Sequence, residues 1–120
     1  LEGEVKRLLI AAAAVLLPAL ALAHGDAAWI QHDPRYVDQR NIHCCGEHDC
    51  ERAPADAVRA TDEGWLIVGT GQIVPYARFG HGLFWSIDAD FWWCRYTYDV
   101  AEYGNQAGEV RCLFVPGTAS

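Results

Sequence analysis

Five cysteines in so short a chain constrain its fold more than any other feature. Three crowd into one stretch, His43-Cys44-Cys45-Gly46-Glu47-His48-Asp49-Cys50, and two stand apart at Cys94 and Cys112. What cysteines do depends on the compartment. Lys6 and Arg7 precede an apolar run from Leu8 to Leu17, and Pro18 leads into Ala19-Leu20-Ala21-Leu22-Ala23. This is the pattern of a signal peptide, with Ala21 and Ala23 placed for a cut after Ala23. The run from Leu8 to Ala23 is shorter than the roughly 18–20 apolar residues a spanning helix needs. No cysteine follows the cut to carry a lipid anchor. The expectation is a leader over residues 1–23, export to the periplasm or beyond the cell, and no stable membrane anchor after cleavage. In an oxidising compartment disulfides are the default state of such cysteines, and a small domain gains most from them.

Charge narrows the partners. The formal net charge is −7. Glu2, Glu4, Lys6 and Arg7 leave with the leader and cancel, so the acidic balance stays on the mature chain. Its fixed cations are then all arginine, because Lys6 is the only lysine. A nucleic-acid binder needs clustered Lys and Arg to neutralise phosphates, so that class is excluded, as is a polybasic membrane-surface protein. A hydrophobic content of 52% excludes a disordered chain. The length allows one small domain.

The mature chain divides at about Asp56. Residues 24–56 read as an irregular N-terminal arm, anchored by Trp29 and Tyr36 and carrying the cysteine–histidine knot. Asp33-Pro34 is placed to cap a short helix through Tyr36, Val37 and Arg40. Residues 57–120 read as β-structure. Ala57–Thr61 and Trp65–Val68 flank the turn signal Asp62-Glu63-Gly64, which predicts a hairpin. Ile73–Tyr76 follows as an edge strand, because Pro75 cannot donate to a ladder. Leu83–Ile87, Phe91–Tyr98 and Glu109–Val115 complete the set. The fold class expected is mainly β, with a small α+β fold as the alternative: a disulfide-stabilised meander of about five strands with an irregular arm stapled to it.

The last two strands can be set in register. A turn near Tyr103 puts Trp92 opposite Phe114, Cys94 opposite Cys112 and Tyr96 opposite Val110, all on one apolar face. The other face then sets Arg95 near Arg111, a mild like-charge conflict. Directly opposed cysteines are within disulfide reach, so this register predicts a Cys94–Cys112 bridge. Three cysteines remain in the knot. Cys50 would pair with Cys44 or Cys45, and one of the three is left over. A leftover cysteine in an exported protein is a thiol, an intermolecular bridge or a ligand.

The knot also reads as a metal site. His43, Cys44, Cys45, His48 and Cys50 offer imidazole and thiolate donors that suit Cu or Zn. The spacing fits no standard zinc pattern, and without Cys-x-x-Cys it is not a thioredoxin-like motif. A cut after Ala23 would make His24 the first residue, whose amine and imidazole chelate Cu(II), with His32, His43, His48 or His81 completing the site.

Other motifs are weaker. Asp88-Ala89-Asp90 reads as a solvated turn, lacking the further oxygen ligands of a calcium loop. Ser86 has no nucleophile-elbow context, and Gly69-Thr70-Gly71 precedes neither a lysine nor a helix. Trp85, Trp92 and Trp93 could stack on sugars, but such aromatics more often form the core of a small β domain. Trp92 and Trp93 point to opposite faces, and Trp92 is assigned to the core.

His43-Cys44-Cys45-Gly46, Asp49-Cys50, Gly64-Trp65 and Arg111-Cys112-Leu113-Phe114-Val115-Pro116 with Ser120 resemble a family of small exported alphaproteobacterial proteins. The resemblance spans most of the mature chain. It implies export, an early His and Trp, and a five-cysteine framework, and it carries over no activity and no catalytic residue. The function expected is therefore a non-enzymatic protein-binding module, its acidic surface suited to a basic protein partner such as a cell-wall hydrolase. The alternatives are a Cu or Zn binder and a thiol-based redox protein.

Overall fold

The computed structural model describes residues 26–45 and 50–117. The expected mainly-β, disulfide-held fold is what forms. Among the described residues, one short helix, α1 (Ala28–Gln31), precedes seven strands: β1 (Cys50–Arg52), β2 (Val58–Ala60), β3 (Trp65–Ile67), β4 (Ile73–Val74), β5 (Leu83–Trp85), β6 (Trp92–Arg95) and β7 (Val110–Val115). Strands β2, β3 and β4 make a three-stranded antiparallel sheet in sequence order. The other sheet has the order β1-β6-β7-β5, and β5 runs parallel to β7. No helix of the described residues is long and apolar enough to cross a membrane.

The predicted β2–β3 hairpin is present, with Ala60 opposite Trp65. Thr61 closes its turn, the backbone N and Oγ1 both donating to the Gly64 carbonyl at 2.9 and 2.7 Å. Gly64 is required there. A Cβ would sit 2.4 Å from the Val74 oxygen, so only glycine lets β4 pass. Strand β4 is the sheet's edge and stops before Pro75, as its proline demands.

The four-stranded sheet is buried on both faces, which explains why Trp92 and Trp93 are both in the core, at 2% and 6% exposure. One face packs Trp93, Leu113 and Val115 against Val58, Ile67 and Val74 of the three-stranded sheet. The other packs Trp92, Cys94, Cys112 and Phe114 against Ile30 and Cys44 of the arm. Trp29 and Tyr36 anchor the arm as expected, each meeting the Phe114 ring edge-on at 5.1 Å.

Three expectations are corrected. The β6–β7 register holds at Trp92–Phe114 and Cys94–Cys112, then shifts, so that Arg95 faces Val110. A bulge leaves Arg111 extra and turns Val110 to the face of Leu113, away from the side expected for it. The bulge also removes the Arg95–Arg111 conflict. Arg95 instead pairs with Glu51 at 2.7 Å and lies over the Trp93 ring, while Arg111 lies over Tyr96. Gln72 supports the bulge like a missing strand partner: its Nε2 donates to the Val110 carbonyl at 2.8 Å and its Oε1 accepts from Val110 N at 2.7 Å. This ties the two sheets together.

Second, the helix expected from Asp33 does not propagate. The capping contact forms, with Arg35 N donating to Asp33 Oδ1 at 2.9 Å. But Val37 then pairs with His43 in an isolated bridge, and an extended residue there ends any helix. The chain turns back over the buried Asp38 carboxylate, which accepts from the backbone N of Arg40 and Ile42 at 2.8 and 3.0 Å. The one α-helix among the described residues lies earlier, at α1. Third, the segment read as an irregular arm contributes an edge strand, β1, to the sheet.

The Asp88–Asp90 turn is a structural corner. Arg52 donates to both carboxylates and lies over the Trp92 ring. Asp88 Oδ1 also accepts from Trp92 Nε1 at 3.0 Å, Asp90 N at 2.9 Å and Ser86 Oγ at 3.0 Å. Partial burial alone would push the Asp88 pKa up; the hydrogen bonds from Trp92, Asp90, Ser86 and Arg52 outweigh it and hold the pKa below its ordinary 3.8. A depressed carboxylate stabilises the fold above its unfolded pKa and loses that contribution as pH falls through its folded value. The Trp92 indole N–H resonance should therefore shift in acid with a midpoint below 3.8, and Asp88→Asn should abolish the transition. A midpoint at or above 3.8 would contradict this arrangement.

Candidate functional site

The row of residues across the four-stranded sheet explains the cysteines. Register places Cys50 of β1 opposite Cys94 of β6, and Cys94 opposite Cys112 of β7. Cys94 therefore has a cysteine on each side. It bonds Cys50, and Cys112 bonds Cys44 of the arm. The expected Cys94–Cys112 bridge is not formed, nor is a bridge from Cys50 to Cys44 or Cys45. The register was readable but the pairing was not, because a sulfur makes one disulfide and β1 offered Cys94 a second cross-strand neighbour. The Cys44–Cys112 Cα atoms are 5.7 Å apart, in the usual disulfide range. Cys44 reaches Cys112 because its backbone N donates to the Tyr36 carbonyl at 2.9 Å, which lays the arm along the sheet.

The two bridges differ in surroundings. Cys44 and Cys112 are both fully buried, sealed under the aromatic layer of the arm. Cys50 lies on edge strand β1 and is half-buried, so its bridge to Cys94 is reachable from solvent. Cys45 belongs to neither bridge and is also half-buried. Its Sγ joins those of Cys50 and Cys94 in a cluster of three sulfurs, all within 4.8 Å of one another. A thiol thus faces a solvent-accessible disulfide. That arrangement can perform thiol–disulfide exchange, in which a thiolate attacks one sulfur and the other leaves.

His43 supports the cluster rather than joining it. Its Nε2 donates to the Asp33 carbonyl at 2.9 Å, which makes Nδ1 the acceptor for Cys45 N at 3.2 Å. Both ring nitrogens are thereby committed to the backbone and hold Cys45 in place. The carboxylate of Asp33, whose carbonyl receives His43, is held down to about 2 by its hydrogen bonds with Arg35.

Among the sequence-derived metal ligands, the structure brings Cys45 and Cys50 together and takes Cys44 into the buried bridge. His24 and His48 lie outside the described residues, as does the leader. Cys94, assigned from the sequence to a bridge with Cys112, is the member of the cluster that the knot alone did not supply. The signal available was charge: Glu51 and Arg52, beside Cys50, complement Arg95 of β6 and Asp90 in the turn before it.

Two other surfaces stand out. A polar cleft of about 230 Å³ is lined by Asp38, Arg40, Gln72, Arg78 and Arg111. On edge strand β5, Trp85 is 55% exposed and packs on Phe79, with Ile87 nearby in sequence at 62%. No family model, no curated protein and no solved structure matches this chain.

Proposed function

We propose that this is an exported thiol–disulfide exchange protein whose working centre is Cys45, Cys50 and Cys94. The observation that carries this reading is the three-sulfur cluster, with one sulfur outside the bridges and the disulfide open to solvent through Cys50. The reaction transfers two electrons. A partner dithiol attacks the exposed Cys50 sulfur and expels Cys94 as a thiolate. The partner's second thiol then breaks the mixed disulfide, leaving an oxidised partner and Cys50 and Cys94 as thiols. Cys45 can instead attack Cys50 at the mixed-disulfide stage, which forms a Cys45–Cys50 bridge and releases the partner still reduced, so it frees a partner whose second thiol is slow to react. The buried Cys44–Cys112 bridge holds the arm to the sheet throughout.

A reduced dithiol peptide mixed with native protein should be oxidised to one disulfide per chain, with Cys50 and Cys94 becoming alkylatable. The double variant Cys50→Ala/Cys94→Ala should leave the peptide reduced. A wild-type protein that also leaves it reduced would remove the exchange reading.

The aromatic edge of β5 favours a second reading, protein binding. Exposed apolar side chains on an edge strand suit the addition of an extended peptide segment. The net charge of −7 favours a basic partner. A basic cell-wall hydrolase should bind with an affinity that falls with salt and is lost in Trp85→Ala. Binding insensitive to both would count against this reading.

A further inference from the structure

We infer that the reduced form of the same cluster is a Cu(I) site, with Cys45, Cys50 and Cys94 as its three ligands. This rests on the exchange reading, because the Cys50–Cys94 bridge must first be opened by a dithiol of the exported compartment, which leaves as a disulfide. Reduction then places three thiols, already within 4.8 Å of one another, around one point. An ion bound to three sulfurs at about 2.3 Å, the length of zinc–thiolate bonds, holds them about 4 Å apart, so the Cys50 and Cys94 sulfurs part to that distance once their bond is broken, with Cys45 already beside them.

The donor set selects the metal. Among the described residues, no imidazole or carboxylate joins the cluster. Among the described residues, His43 of the arm has both nitrogens bonded to backbone groups. The three donors among the described residues are all thiolates, which suit a soft ion of low coordination number. Zn(II) in a structural site takes four ligands, whereas thiolate donors also select Cu(I), which three sulfurs can enclose. Binding releases three thiol protons and involves no electron transfer to or from the ion. Cys94 is fully buried and Cys45 and Cys50 half-buried, so the ion enters from the β1 edge and ends with its innermost ligand shielded from water.

The site also changes what the exchange centre does. With copper bound, none of the three sulfurs is available to a partner, so metal loading and disulfide formation exclude each other.

The test uses protein reduced under native conditions, with the dithiol removed without air and alkylation of a sample reporting which cysteines are thiols. Cu(I) is then presented as its bicinchoninate complex. Reduced wild type should withdraw one Cu(I) per chain, and X-ray absorption should show three sulfur neighbours. Cys45→Ser keeps both bridges available and should bind at least tenfold more weakly, while the oxidised wild type should take none. If alkylation shows Cys50 and Cys94 as thiols but copper stays with bicinchoninate, the copper site is wrong and the exchange reading stands. Tight uptake unaffected by Cys45→Ser, or tighter binding of Zn(II) than Cu(I), equally overturns it. If Cys50 and Cys94 are never reduced in the native protein, both fall together.

Discussion

Replacing Cys44 and Cys112 together by alanine should lower the unfolding free energy by about 4 kcal/mol. The bridge joins residues separated by 68 positions, so its removal returns a large loop-closure entropy to the unfolded chain. For a domain of this size that corresponds to a drop in Tm of about 15–30 °C. The double substitution matters, because a single one would leave a new thiol in the core. Both half-cystines are fully buried, so the effect on the folded side is a small void beneath Ile30 and Phe114 rather than a lost surface contact. Chemical denaturation followed by fluorescence would measure it. A loss below about 1 kcal/mol would mean that the arm is held to the sheet by packing alone, against the chain-entropy expectation.

Phe114→Ala should cost about 3–5 kcal/mol, the usual range for removing a buried aromatic side chain. Phe114 is the hub of the arm-facing layer. It stacks on Phe84 at 5.4 Å and meets Trp29 and Tyr36 edge-on at 5.1 Å each. Removing the ring leaves a cavity that Phe84, Trp29 and Tyr36 cannot close without leaving their stacked and edge-on geometries. Phe114→Leu keeps most of the volume and should cost less than about 1.5 kcal/mol. The Trp29 indole should report the same event, since its contact with Phe114 is lost in the first variant. Equal costs for the two substitutions would mean that Phe114 contributes apolar area and no ring packing.

The elements legible in the sequence were those fixed by local chemistry. Asp62-Glu63-Gly64 gave the hairpin, Pro75 marked the edge strand, and alternation around Cys94 and Cys112 gave most of the β6–β7 register. What stayed illegible depends on contacts distant in sequence. Strand β1 has three residues, too few to show a period of two, and with it went the true partner of Cys94. The parallel pairing of β5 with β7 leaves no mark in either segment. The bulge at Arg111 is set by Gln72 from the other sheet, so alternation through Val110 misled. In the arm, Asp33 carried a genuine capping signal, but the Val37–His43 bridge overrode it. The cysteine–histidine stretch was recognisable as the centre of interest. Its third working sulfur, Cys94, sits 44 residues beyond Cys50 and was claimed by a more conspicuous neighbour.

On the exchange reading, the Cys50–Cys94 bridge is chemical and the Cys44–Cys112 bridge structural. Stepwise alkylation of the native protein, with the labelled positions mapped by mass spectrometry, tests it most directly. Before reductant, label should appear on Cys45 alone. With excess dithiol under native conditions it should appear on Cys45, Cys50 and Cys94, while Cys44 and Cys112 stay bridged until the protein is unfolded. Simultaneous labelling of all five cysteines, or opening of Cys44–Cys112 before Cys50–Cys94, would contradict the account.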